Sequence, residues 1–100
     1  MVKITELLEE KKGHDVQVFD VRECSTLTDF VVVASGTSMP HLKALAGNLQ
    51  RELKKLGEGA MRVSGDSDSA WIVVDLYDVM VHLFLPEARE YYAIESLWRN

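Results

Sequence analysis

Apolar positions recur along this chain with two periods, and the switches between them mark its elements. In residues 3–12, Ile4, Leu7 and Leu8 fall on one side of a helix that Gly13 stops. "VQVFDV" (16–21) reads as a strand, and "FVVVAS" (30–35), apolar almost throughout, as a central strand covered on both faces. "SGTSMP" then turns the chain into a second helix, with Ser38 as N-cap and Pro40 in its first turn. The stripe of that helix is Leu42, Leu45, Ala46, Leu49, Leu53 and Leu56, and Gly57 ends it. A short strand at 60–64, the polar loop "GDSDS" and two strands at 71–76 and 79–84 follow. Pro86 opens a final helical region, in which Tyr91, Ile94, Leu97 and Trp98 read as packing residues.

Strand, helix and strand from 30 to 64 predict a right-handed crossover between parallel neighbours. The connection at 22–28 and the tight turn near 77–78 predict antiparallel pairs instead. The fold class is therefore α/β, a mixed sheet of about five strands flanked by helices.

A two-residue turn at Tyr77 and Asp78 places Leu76 opposite Val79 and sets the register of the last hairpin. One face then carries Ile72, Val74, Leu76, Val79, Val81 and Leu83, and must be core. The other carries Trp71, Val73, Asp75, Met80, His82 and Phe84, where aromatic and sulfur-bearing groups surround one acid and one imidazole.

With 100 residues the chain makes one domain, 1–100, that buries roughly 60–70% of its unfolded surface. No apolar run approaches the ~20 residues of a membrane span, so no membrane partner is expected. The acidic start, with Glu6, Glu9 and Glu10, resembles neither a secretory signal nor a transit peptide. Cys24, the sole cysteine, gives no intrachain disulfide and suits a reducing, cytoplasmic setting. The net charge of −5 argues against broad contact with a nucleic-acid backbone, and no sequence-specific nucleic-acid binding is expected. Between Arg62 and Arg89 there is no Lys or Arg, yet Asp66, Asp68, Asp75, Asp78 and Glu87 lie there. Such a span is either a solvated acidic edge or a surface that attracts a basic protein.

The hairpin's polar residues do not assemble an enzyme. Nucleotidyl transferases place two carboxylates on one metal, usually from positions two apart on a strand, and Asp75 and Asp78 are three apart across a turn. Asp75 and His82 are diagonal across the strands, without a serine or cysteine in the hairpin to complete a nucleophilic set. "SGTS" before a helix could hold an anion, but lacks the lysine and spacing of a P-loop and the glycines of a dinucleotide fingerprint. His14, His41 and His82 show no ligand spacing, and Cys24 reads as an inert thiol. No cofactor, metal or catalytic residue is assigned. The competing reading is a small nucleotidyl- or phosphoryl-transferring enzyme that uses Asp75, Asp78 and the "SGTS" loop.

"TDFVVVASGTS" (28–38), Gly65 followed at a distance by Trp71, "WIVVDLYDVMVH" (71–82), and an ending with Pro86, Glu87, Arg89, Tyr92, Glu95, Leu97 and Trp98 together carry a resemblance. In that order and spacing, over nearly the whole chain, they resemble the ribosomal silencing factor family, also called Iojap-related. The resemblance implies a nucleotidyltransferase-like fold without transferase chemistry. It implies binding to the large ribosomal subunit through the interface protein L fourteen, which blocks joining of the small subunit and represses translation. It also implies a homodimer when free. The partner surface it implies involves Trp71 and Leu76, with Asp75 and Asp78 nearby; the hairpin face adds Met80 and His82. Trp71 is read as an anchor whose truncation leaves the fold intact. One departure is Tyr77, where the family often has a glycine that permits positive φ.

Overall fold

The computed structural model describes residues 2–23, 28–57, 62–66, 70–76 and 78–94. In chain order they form α1 (Val2–Glu10), β1 (His14–Asp20), β2 (Phe30–Ser35), α2 (Met39–Lys55), β3 (Arg62–Asp66), β4 (Trp71–Asp75), β5 (Val79–Phe84) and α3 (Pro86–Tyr92). The five strands make one sheet in the order β1-β2-β5-β4-β3. Only β2 and β5 run parallel; the other three pairs are antiparallel. The expected α/β domain with a mixed five-stranded sheet is what the chain forms. Cys24, Tyr77, Leu97, Trp98 and the last three residues of the "GDSDS" loop, 67–69, lie outside the described residues.

One expectation about the sheet fails. β2 and β3, joined through α2, are not neighbours, because the β4–β5 hairpin inserts between them and leaves β3 at the far edge. Burial accounts for the order. Val81, Leu83 and Phe84 of β5 are as deeply buried as Val31, Val32 and Val33 of β2, so the two apolar strands share the centre. The exposed β3 takes the rim.

The two faces of the sheet are covered unequally. On one, Ile4, Leu7 and Leu8 of α1 and Leu42, Leu45, Ala46, Leu49 and Leu53 of α2 pack on Val32, Ala34, Ile72, Val74, Val81 and Leu83. A fully buried leucine there stabilises the fold by roughly 1.5–3 kcal/mol. On the other, Val21, Val31, Val33 and Phe84 form a smaller cluster with Phe19, Trp71, Ala88 and Ile94 against them. Leu56, expected to complete the stripe of α2, is 61% exposed. It is the residue after the last helical turn, and its N–H bonds the Leu53 carbonyl at 3.0 Å, so the backbone has already left the helical path.

The ends of the helices are set locally. Ser38 caps α2 by accepting the N–H of His41 at 3.2 Å. α1 ends with Lys12 at φ 64 and the Gly13 N–H on the Leu8 carbonyl at 2.8 Å, so Lys12, not the glycine, takes the left-handed position. Gly13 is needed for space, since a Cβ would lie 2.9 Å from that carbonyl oxygen.

Candidate functional site

β4 and β5 pair with Trp71 opposite Phe84, Val73 opposite His82 and Asp75 opposite Met80, the register the sequence predicts. Ile72, Val74, Leu76, Val79, Val81 and Leu83 all pack on the helix-covered face. The six residues expected at the partner surface therefore divide. Trp71, Asp75, Met80 and His82 share the second face, Leu76 turns half-buried to the first, and Asp78 is exposed at the tip.

At the far end of this face, Trp71 and His82 form one unit. The indole N–H donates to Nδ1 of His82 at 3.1 Å. The indole also lies 5.0 Å from the Phe84 ring at 25° and 4.9 Å from that of Tyr92. Trp71 is thus half-buried and packed on the smaller core cluster, so its ring contributes to the fold on one side and keeps accessible surface on the other. His82 is only 7% exposed and has little surface of its own on this face. Burial holds its imidazole well below the usual value, at about 4, so the ring is neutral at physiological pH. With Nδ1 accepting the indole proton, the ring's own proton sits on Nε2. The arrangement makes His82 a rigid support for Trp71.

At the near end, the tip is fastened to the start of β2. The Asp78 carbonyl accepts the N–H groups of Asp29 at 2.9 Å and Phe30 at 3.1 Å, and the Thr28 hydroxyl at 2.7 Å. Leu76 N–H closes on the Val79 carbonyl at 2.9 Å. Asp75 stands between Met80 on β5 and Arg62 on β3 in the strand register. The result is a held tip that presents the Asp78 carboxylate to solvent, with Asp75 and the half-buried Met80 beside it.

The chemistry required by the competing enzyme reading is not brought together. β2 and β5 run parallel, so Asp78 precedes β5 at one end of the sheet and "SGTS" follows β2 at the other, six residues or roughly 20 Å along the strand. The loop's amides are also committed within the chain. Gly36 N–H bonds the Phe84 carbonyl at 2.9 Å, and Thr37 N–H bonds Nδ1 of His41 at 2.9 Å. Nε2 of His41 then donates to the Lys11 carbonyl at 2.7 Å, so His41 ties the loop to the end of α1. Among the described residues no group of three His, Cys, Asp or Glu side chains could hold a metal ion.

Sequence reasoning missed Thr28, His41, Arg89 and Tyr92 as the residues that position these parts. Thr28 and Tyr92 lay inside the quoted motifs, but their partners are fifty and some twenty residues away along the chain. Gly65 sits at φ 140 opposite Ile72, and a Cβ there would strike the Trp71 carbonyl oxygen.

Comparison with known proteins agrees with this architecture. The family model described as "Ribosomal silencing factor during starvation" matches residues 1–100. A ribosomal silencing factor of Haemophilus influenzae is 41% identical over 95 residues, covering 95% of this chain and 93% of its own. A mouse protein named "Mitochondrial assembly of ribosomal large subunit protein 1" is 34% identical over 98 residues, covering 95% of this chain and 43% of that relative. A crystal structure of a Chromobacterium violaceum protein superposes with a TM-score of 0.89 at 39% identity, covering 95% of this chain and 79% of that one. The chain belongs to the ribosomal silencing factor family.

Proposed function

We propose that this protein binds the large ribosomal subunit at its interface protein L fourteen and sterically blocks association with the small subunit, repressing translation without making or breaking a bond. The observation that carries the reading is the fastened hairpin tip. It holds the Asp78 carboxylate outward beside Asp75 and Met80, on a protein of net charge −5 whose sequence has no Lys or Arg between Arg62 and Arg89. Ribosomal surfaces are basic, and acids beside apolar side chains suit such a partner: carboxylates guide the encounter and the apolar groups hold it. Membership of a family described by ribosomal silencing supports it, as does a mouse relative named for large-subunit assembly.

In this reading Asp75, Asp78, Met80 and Leu76 form the contact, and Trp71 is shaped for it by His82 behind. The protein works in the cytoplasm and is a homodimer when free, which sedimentation equilibrium would test. Co-sedimentation with purified large and small subunits, separately, tests the main proposal. Binding to the large subunit alone, with a lower yield of joined ribosomes, is expected; equal binding to both subunits, or to neither, would overturn it.

A further inference from the structure

The carboxyl ends of β2 and β5 lie side by side, but the helices that follow them leave to opposite faces, α2 to one and α3 to the other. A reversal of this kind opens a crevice beyond the strand ends. Here it measures about 690 Å³, with Thr37, Ala70, Leu85, Glu87, Tyr91 and Tyr92 in its walls. That is within the roughly 300–1,000 Å³ of ligand-sized pockets. It lies at the other end of the sheet from the Asp78 tip.

The walls are held in place. Leu85 N–H bonds the Ala70 carbonyl at 3.1 Å, across a residue fixed at φ 55. Behind α3, Arg89 is buried, donates from Nη1 to the Ser35 hydroxyl at 2.8 Å, and brings Nη2 to 3.5 Å from the Asp15 carboxylate. The guanidinium of α3 is therefore turned inward to the sheet, and the charges the helix shows to solvent are Glu87 and Glu90. Tyr91 is 83% exposed, with its ring edge-on to that of Tyr92 at 5.2 Å and 84°. Glu87 stands four residues before Tyr91, on the same side of the helix.

A ring held against a second ring, with a carboxylate one turn away, is suited to a planar cation. A guanidinium can lie on the tyrosine face while its N–H groups meet the carboxylate. We propose that this crevice binds an arginine side chain of an extended basic protein segment, a second contact remote from the hairpin tip. The assignment of the site stands on the crevice. It rests on the large-subunit reading only for the source of the arginine.

The test is an NMR titration of the labelled protein with the capped peptide Gly-Arg-Gly-Arg-Gly-Arg-Gly, and with the same peptide carrying citrulline, the uncharged isostere of arginine. Shifts are expected at Thr37 and residues 85–91. The citrulline peptide, Glu87→Gln and Tyr91→Ala should each weaken binding by about fivefold or more, and Asp78→Asn by less than about twofold. Both altered side chains are exposed, so these variants should fold. Shifts confined to residues 75–80, equal binding of the citrulline peptide, or silence at millimolar peptide would overturn the proposal. Large-subunit co-sedimentation of the wild type separates the two readings. If it fails while the titration succeeds, the crevice stands and the ribosomal partner falls; the reverse outcome removes the crevice alone.

Discussion

His82 ties the aromatic face to pH. In the unfolded chain its imidazole takes a proton near 6.5, but in the fold not until about 4, because burial excludes the charge. Between those values the unfolded state binds more protons, so stability is fully present above 6.5 and declines as pH falls toward 4. Urea unfolding at pH 7 and pH 5 should differ by roughly 2 kcal/mol from this residue, and His82→Gln should remove most of that difference. The same site sets an expectation for its neighbour. Trp71→Ala deletes an indole stacked on Phe84 and tilted against Tyr92 and should cost roughly 3 kcal/mol of folding stability. Trp71→Phe keeps an aromatic ring but leaves Nδ1 of His82 without its donor, at about 1–2 kcal/mol. Thermal unfolding measured beside subunit binding separates loss of fold from loss of contact. A melting temperature unchanged by Trp71→Ala would contradict the packing described.

Among the elements, the hairpin depends on a residue outside it. The Thr28 hydroxyl, on the Asp78 carbonyl at 2.7 Å and near the Phe30 carbonyl at 3.3 Å, joins the tip to β2. Thr28→Val should cost about 1 kcal/mol and speed amide hydrogen exchange at residues 76–80 more than in α2. Uniform exchange across the chain would argue against a local fastening. Elements of this kind show what periodicity can reveal. Both central strands and the two faces of the hairpin were legible because alternation and continuous apolar runs report burial directly. Strand order was not, because connectivity suggests neighbours while burial decides them, and β5 displaced β3 from beside β2. In the site, the register that groups Trp71 with His82 was legible, but neither the indole hydrogen bond to His82 nor the depth of its burial was. Thr28 gave no signal either, since its partner lies fifty residues away.

For the whole molecule, charge governs approach more than grip. With −5 overall and Asp78 exposed at the tip, association with a basic surface should be fast at low salt. Raising salt from about 0.05 to 0.3 M should slow association with large subunits severalfold and change dissociation little. Asp78→Asn should flatten that salt dependence, as stopped-flow mixing at several ionic strengths would show. A salt response confined to dissociation would assign the acids to the bound contact instead.

The parallel pairing of β2 with β5 joins Phe30 to Val79 across all of α2, β3 and β4. Contacts this distant in sequence are slow to close, since the loop entropy is lost before the pairing stabilises anything. During synthesis β1 and β2 emerge together and can pair at once, but the other edge of β2 must wait for the chain to be made through Phe84. Until then an apolar strand with open hydrogen-bonding groups stands exposed, a template for pairing with another nascent chain. A chain released before β5 is complete should therefore aggregate rather than remain a partly folded monomer. In a cell, the interval between the two strands sets how long each new copy needs shielding.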